Sequence, residues 1–137
     1  APFLKHVAKA IATGRFDLEV LQSVTYEAAR DNLLTRLLGE KTLLGVGPKV
    51  ADCFLLYSCD KTEAFPVDVW IARVLSTTYP RLLGREVMKR INSGDSLKLS
   101  RAEYFAISKA ARRHFGPNAG YAQLYLYMAA RSEEESS

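Results

Sequence analysis

Lys49 is the first residue whose setting could support covalent chemistry. It stands in the first turn of a predicted helix, directly after residues 43–48 (LLGVGP). Gly45 and Gly47 suit positive φ angles and let the backbone approach another group closely, and Pro48 suits the first helical position. The N–H groups at the positive end of a helix favour an anion such as phosphate. A primary amine beside such a site is a candidate nucleophile, although on this segment alone a solvated surface lysine is the simpler interpretation.

Asp68 is a second candidate, nineteen residues further along the chain. Pro66 favours an extended Phe65, and Asp68 stands directly before an apolar run with helical periodicity, where an N-cap is expected. An aspartate in this position is usually a structural cap and nothing more.

Gln123 and Tyr127 are four residues apart on the last predicted helix and therefore share a face. A glutamine is unusual in this otherwise apolar segment. The alternative interpretation is an aromatic stripe that packs in the core, and we expect Tyr121 and Tyr125 to do so.

These segments together resemble a known family. Residues 45–53 (GVGPKVADC), followed by residues 66–69 (PVDV), resemble the helix-hairpin-helix DNA glycosylases of the HhH-GPD superfamily, and most closely the 8-oxoguanine DNA glycosylase branch. Residues 116–123 (GPNAGYAQ) resemble the segment that introduces the base-reading helix of that branch. The resemblance implies an all-α fold, a helical bundle that contains a helix-hairpin-helix motif.

The resemblance also implies a domain organisation. Residues 1–130 would form the C-terminal portion of the glycosylase domain, with the hairpin near 43–50. The upstream half of that domain would be required in addition. The charged, serine-rich residues 131–137 are expected to be disordered.

The activity implied is base-excision repair of duplex DNA that contains oxidised guanine. Lys49 would attack the sugar carbon of a flipped 8-oxoguanine nucleotide, form a Schiff base and permit a β-elimination (AP lyase) step. Asp68 would stabilise the developing positive charge and help to transfer protons, so these two residues need to face each other across a cleft.

The resemblance implies two sets of DNA contacts. Gln123 would hydrogen-bond the edge of the flipped base, with Tyr127 stacked on one side of it and Cys53 on the other. Gly45, Val46 and Gly47 would bind a phosphate through the backbone, and the hairpin carbonyls could hold a cation. Trp70 departs from the family, in which many members have a phosphate-contacting histidine; an indole donates only one hydrogen bond, so this contact would be altered or lost.

Three alternatives stay open. A non-catalytic helix-hairpin-helix module would bind the DNA backbone, but it would not need Lys49, Asp68 and Gln123 together. A glycosylase of the same fold could act on another damaged base, although relatives without lyase activity generally lack the lysine. A purely structural helical domain would leave the hairpin unexplained.

Composition narrows the choice of partner and cofactor. The 137 residues carry a net charge of +4, which permits a nucleic-acid partner without requiring one. No cysteine follows Cys59, so the iron–sulfur cluster of the related endonuclease III branch would have no ligands. Cys53 and Cys59 are too far apart on one helix for a disulfide. No apolar run reaches membrane length, and no signal pattern opens the chain. The cysteine pattern fits a reducing environment, and we expect an intracellular protein that acts with DNA, in a nucleus or a prokaryotic cytoplasm.

Helical periodicity and capping signals indicate which elements must position these residues. We expect the helix from Val50 to Ser58 to be buried, because it is apolar on nearly every face. Ser100 and Glu103 form a predicted capping box. The predicted helices cover residues 1–12, 16–23, 26–38 with Thr25 as cap, 50–58, 69–78, 84–92 and 100–115, and residues 116–127 start the last helix.

Overall fold

The fold is helical throughout the described part of the chain. The computed structural model describes residues 18–38, 47–94 and 96–136, and none of these residues is in a strand. The α-helices are α1 (Leu18–Ser23), α2 (Tyr26–Leu38), α3 (Pro48–Ser58), α4 (Val69–Thr78), α5 (Arg85–Asn92), α6 (Arg101–Phe115) and α7 (Ala119–Ser136), with short 3-10 turns at Pro80–Leu82 and Gly116–Asn118. The prediction of an all-α fold is confirmed. Searched over the same residues, no helix has the length and apolar character needed to cross a membrane.

The chain divides into two compact units, one up to Lys61 and one from Thr62 onward. In the first unit α2 packs against α3. As predicted, Thr25 caps α2, its hydroxyl oxygen accepting a hydrogen bond from the Ala28 N–H at 3.2 Å. The amine of Lys61 donates to the carbonyls of Gln22 (2.9 Å) and Val24, where a cation complements the C-terminal end of α1.

Helix α3 is buried along one face only, which corrects the expectation of a fully buried helix. The buried side chains are Ala51, Asp52, Leu55 and Leu56. Tyr57, by contrast, is 61% exposed. The apolar sequence of the helix does not distinguish the packed face from the solvent-facing one, because both carry large apolar or aromatic residues.

The second unit has its own apolar core, built from the remaining helices. Phe65 and Phe115 stack in it with ring centroids 5.7 Å apart. Both predicted caps are confirmed: Asp68 caps α4, and Ser100 and Glu103 form a capping box at the start of α6. The core consists of Phe65, Val67, Ile71, Ala72, Leu75, Leu83, Val87, Leu97, Tyr104, Ile107, Ala111 and Ala119.

The last helix is longer than expected. We predicted disorder from residue 131, whereas α7 continues to Ser136. Arginine and glutamate are good helix formers, so a charged segment can extend a helix that is already nucleated. The predicted helix over residues 1–12 and the hairpin residues 43–46 lie outside the described residues.

Candidate active site

Lys49 lies in the first turn of α3, and its side chain is exposed. Gly47 is the N-cap of the helix, and its carbonyl accepts from the N–H groups of Val50 (3.1 Å) and Ala51 (3.3 Å). The helix therefore begins at Pro48, as the sequence predicted, and carries the amine at its N-terminal end.

The backbone at Gly47 differs from the positive φ expected from the sequence. Its φ and ψ are −95° and −178°, which is extended rather than left-handed. The following Pro48 explains this, because a residue before proline is pushed toward extended backbone. A Cβ at position 47 would meet no atom of the described residues within 4 Å, so neither the backbone conformation nor packing against those residues requires a glycine here. Gly45 and Val46 lie outside the described residues.

Asp52 and Cys53 follow Lys49 on the same helix, three and four residues later. Cys53 is partly exposed, and its sulfur is a thiol rather than half of a disulfide. The Asp52 side chain is fully buried and accepts a hydrogen bond from the hydroxyl of Tyr26, which is 2% exposed. The sequence analysis missed Asp52. An aspartate within an otherwise apolar helix suggests a buried polar contact, but the sequence does not identify the partner, which lies 26 residues away.

Asp68 is held at the N-terminus of α4 in the second unit. Its Oδ1 accepts a hydrogen bond from the Ile71 N–H at 2.7 Å, and its carbonyl accepts from the Ala72 N–H at 2.9 Å. The side chain is half-buried. A carboxylate fixed in this way is oriented by its cap and still borders solvent.

Gln123 is nearly buried, at 9% exposure, on the first turns of α7. Its Nε2 donates to the carbonyl of Pro66 at 3.3 Å, across 57 residues of sequence. Its Oε1 is buried and has no hydrogen-bond partner among the residues that the structure describes. Buried polar atoms are rarely left in this state, so a donor to this oxygen has to come from beyond those residues.

Tyr127 lies one turn after Gln123, in contact with Trp70. The two rings meet edge to face, with centroids 6.5 Å apart and an interplanar angle of 63°. The Tyr127 hydroxyl accepts from Nη1 of Arg131 at 3.3 Å. Tyr121 and Tyr125 are 52% and 76% exposed, so the expectation that they pack in the core is wrong. They occupy a different face of α7 from Gln123.

The structure therefore groups the predicted site residues into two sets. Lys49 and Cys53 share α3 in the first unit, whereas Asp68, Gln123 and Tyr127 belong to the second. Trp70 joins the second set through its ring contact with Tyr127. Among the residues that the structure describes, no group of three or more His, Cys, Asp or Glu side chains could hold a metal ion.

Comparison with known proteins identifies sequences similar to this chain. The chain is 40% identical over 131 residues to a probable N-glycosylase/DNA lyase of Methanothermobacter thermautotrophicus, covering 96% of this chain and 34% of the relative. It is 30% identical over 124 residues to the N-glycosylase/DNA lyase of Saccharomyces cerevisiae, covering 87% and 32%. Comparison with models of known protein families gives no match.

A solved structure agrees with these relatives. The Clostridium acetobutylicum 8-oxoguanine glycosylase/lyase, in complex with double-stranded DNA containing cytosine opposite 8-oxoG, superposes with a TM-score of 0.65 at 29% identity. The match covers 97% of this chain and 37% of that one. The resemblance predicted from the motifs is confirmed: this chain is similar in sequence to N-glycosylase/DNA lyases and in structure to an 8-oxoguanine glycosylase/lyase, and it spans about a third of the length of the proteins it matches.

Proposed function

We propose that this chain is part of a base-excision repair enzyme, an N-glycosylase with AP lyase activity that removes 8-oxoguanine from duplex DNA. The observation that carries the proposal is the position of Lys49: an exposed primary amine in the first turn of α3, in a chain whose relatives are named N-glycosylase/DNA lyases. A lyase step requires a covalent imine, and lysine is the side chain that forms one with a sugar aldehyde carbon.

The reaction has two stages, removal of the base and cleavage of the strand. The Lys49 amine forms a bond to the anomeric carbon of the flipped nucleotide while the glycosidic bond breaks, and the base leaves with the bonding electron pair and takes up a proton. Loss of the second amine proton and opening of the sugar give the imine. Removal of a proton from the adjacent sugar carbon then expels the 3′ phosphate, and water releases the lysine.

Asp68 supports removal of the base electrostatically. Positive charge develops on the sugar as the base departs, and a carboxylate already oriented by the Ile71 N–H stabilises that charge without reorganisation. The same carboxylate can accept and return a proton during elimination. The hydrogen bond by which Asp68 caps α4 thus also orients its carboxylate for this role.

Gln123, Tyr127 and Cys53 recognise the extruded base. The buried Oε1 of Gln123 accepts hydrogen bonds from donors on the Watson–Crick edge of a guanine-type base, and the opposite end of the amide is anchored on Pro66. Tyr127 stacks on the base, and the partly exposed Cys53 contacts its other side. These contacts read a nucleotide that has left the duplex.

Gly45, Val46 and Gly47 bind a phosphate of the lesion strand through their N–H groups, with a cation on the hairpin carbonyls as a further contact. At Gly47, neither the backbone conformation nor packing against the described residues requires a glycine, which supports a close approach by a group from outside them. Such contacts hold the strand in register without reading sequence.

The complete activity requires more than these residues. Residues 1–130 form the C-terminal portion of the domain, and the upstream portion is required because the chain matches only about a third of each relative's length. In the proposed steps the amine itself supplies the nucleophile, and no iron–sulfur cluster or other cofactor takes part. The partner is double-stranded DNA, and the protein acts in the compartment that holds it.

Borohydride trapping tests the proposal. The longest natural protein containing these residues is incubated with a duplex carrying 8-oxoguanine and then reduced, and the covalent adduct is measured for wild type, Lys49→Gln and Lys109→Gln. Lys109 is an exposed lysine on α6 and serves as the matched control. We expect an adduct in wild type and the control, and none in Lys49→Gln.

Two other results would change the assignment. An adduct that persists in Lys49→Gln would mean that another amine is the nucleophile. Binding of the duplex without any adduct in wild type would favour the non-catalytic DNA-binding module or a different lesion.

A further inference from the structure

One peptide group of the second unit, between Pro66 and Val67, is hydrogen-bonded at both of its polar ends. Its carbonyl, which belongs to Pro66, accepts from Nε2 of Gln123 at 3.3 Å. Its N–H, which belongs to Val67, donates to the hydroxyl of Tyr104 at 3.3 Å. The Pro66–Val67 peptide therefore connects a side chain of α6 with a side chain of α7.

Both hydrogen bonds of this peptide are buried. Pro66 belongs to the fully buried side chains, and Val67 and Tyr104 are 2% and 5% exposed. The ring of Tyr104 packs in the apolar core of the second unit, so its hydroxyl is a polar group within apolar surroundings. Water cannot take the place of this hydroxyl at such a site, and the Val67 N–H depends on it for an acceptor.

The planarity of the peptide couples its two hydrogen bonds. Because the N–H and the carbonyl of one peptide group cannot turn independently, the Tyr104 hydroxyl also fixes the direction of the Pro66 carbonyl. That carbonyl in turn fixes the amide of Gln123. The start of α7 is anchored separately, since the Gly120 N–H donates to the carbonyl of Thr62 at 2.7 Å.

We propose that Tyr104 is a positioning residue for base recognition, which acts on Gln123 through the Pro66–Val67 peptide. This inference rests on the proposed function, in which Gln123 reads the extruded base. A side chain that recognises a base by hydrogen bonds has to be held in one orientation by its own supporting contacts. Tyr104 provides such support without contacting the nucleotide.

The same peptide directly precedes Asp68, so an effect on base recognition has to be separated from an effect on the carboxylate. Asp68 has an anchor of its own, the Ile71 N–H, which donates to Oδ1 at 2.7 Å. We therefore expect loss of the Tyr104 hydroxyl to disturb Gln123 more than Asp68. A lesion that contains a base should report this loss, and a lesion without a base should not.

The test removes the hydroxyl while keeping the ring. Tyr104→Phe is made in the longest natural protein that contains the chain, alone and together with Gln123→Ala. Val87→Ala is the control, because Val87 is 3% exposed in the same core and is not part of the proposed site. Dissociation constants are measured by filter binding at fixed salt for an unmodified duplex, a duplex with a tetrahydrofuran abasic analogue, and a duplex with non-cleavable 2′-fluoro-8-oxoguanosine.

We expect Tyr104→Phe to lose about three- to tenfold in affinity for the 2′-fluoro duplex, as for one neutral hydrogen bond, and to bind the other two duplexes as wild type does. In the Gln123→Ala background the same substitution should cause no further loss, because its effect passes through Gln123. Val87→Ala should leave all three dissociation constants unchanged.

Other outcomes overturn the inference. Unchanged affinity for the 2′-fluoro duplex, an equal loss on both lesion duplexes, or the same loss in the Gln123→Ala background would give Tyr104 a packing role only. If Tyr104→Phe does not fold, replacement of Tyr104 by 4-fluorophenylalanine decides, because fluorine fills the space of the hydroxyl and is a poor hydrogen-bond acceptor. A wild-type protein that binds the lesion duplexes no better than the unmodified one would instead refute the proposed function itself, so the two failures are distinguishable.

Discussion

Replacing Tyr26 by phenylalanine removes a single hydroxyl from the interior of the first unit. That hydroxyl donates to Oδ1 of Asp52, whose side chain is completely buried on α3. The phenyl ring keeps the packing of the tyrosine, which is itself 2% exposed. The substitution therefore takes one hydrogen-bond donor from a buried carboxyl group and leaves the apolar contacts in place.

The size of the effect follows from the burial of both partners. Leaving a buried polar group short of one hydrogen bond costs about 1–3 kcal/mol, and water cannot replace the lost donor at a site with no exposure. We expect the free energy of unfolding to fall by about 2 kcal/mol. With a urea dependence of about 2 kcal/mol/M, the unfolding midpoint moves by about 1 M, which far-UV circular dichroism detects easily.

Tyr57→Phe is the matched control, because Tyr57 also belongs to the first unit but is 61% exposed on α3. Its loss of a hydroxyl should change stability by less than about 0.5 kcal/mol, as is usual for surface substitutions. If Tyr26→Phe were as mild as this control, the buried carboxyl group would not depend on the tyrosine and the argument from burial would be refuted.

Three further predictions concern separate sites. The hydrogen bond from Arg90 lowers the pKa of Glu103 from its ordinary 4.5, so the ionised Glu103 stabilises the fold above pH 4.5, and this stabilisation is lost as the pH falls through the lower folded-state pKa. Glu103→Gln, which can keep the capping box, should cost at most about 1 kcal/mol at pH 7 and nothing in acid. A cost in urea titrations that does not change with pH would contradict this. Burial raises the pKa of the Cys59 thiol, which is 2% exposed, so maleimide should label the partly exposed Cys53 first. Mass spectrometry of the native protein measures the two labelling rates, and equal rates would count against this. The Oγ of Ser108 is buried without a hydrogen-bond partner in the described part of the chain, so Ser108→Ala should be neutral or stabilising by up to about 1 kcal/mol. A large destabilisation in urea would show that the hydroxyl makes a stabilising hydrogen bond.

The caps were predictable because the groups that form them are close in sequence. Asp68 binds the N–H of a residue three positions later, and Ser100 and Glu103 bind each other across the same interval. Residue type and spacing are therefore enough to predict these hydrogen bonds. The positions of Lys49 at a helix start and of Gln123 and Tyr127 on one face follow from the same local rules.

The contacts that give these residues their setting were not predictable in this way. Gln123 binds a carbonyl 57 residues away, and Asp52 a hydroxyl 26 residues away. No local pattern specifies such pairs, since they arise only when helices pack. Tyr121 and Tyr125 illustrate the same limit, because an aromatic repeat indicates a shared helix face without indicating whether that face meets protein or solvent.

The ring contact between Trp70 and Tyr127 also gives the protein a built-in optical reporter. Trp70 is the only tryptophan among the 137 residues, so within this chain red-edge excitation selects one indole beside the proposed base-stacking tyrosine. A base that stacks on Tyr127 would disturb the geometry of the ring pair and with it the emission of the indole and the near-ultraviolet circular dichroism of both rings. Nucleotide extrusion could then be followed in real time, without a label on either the protein or the DNA.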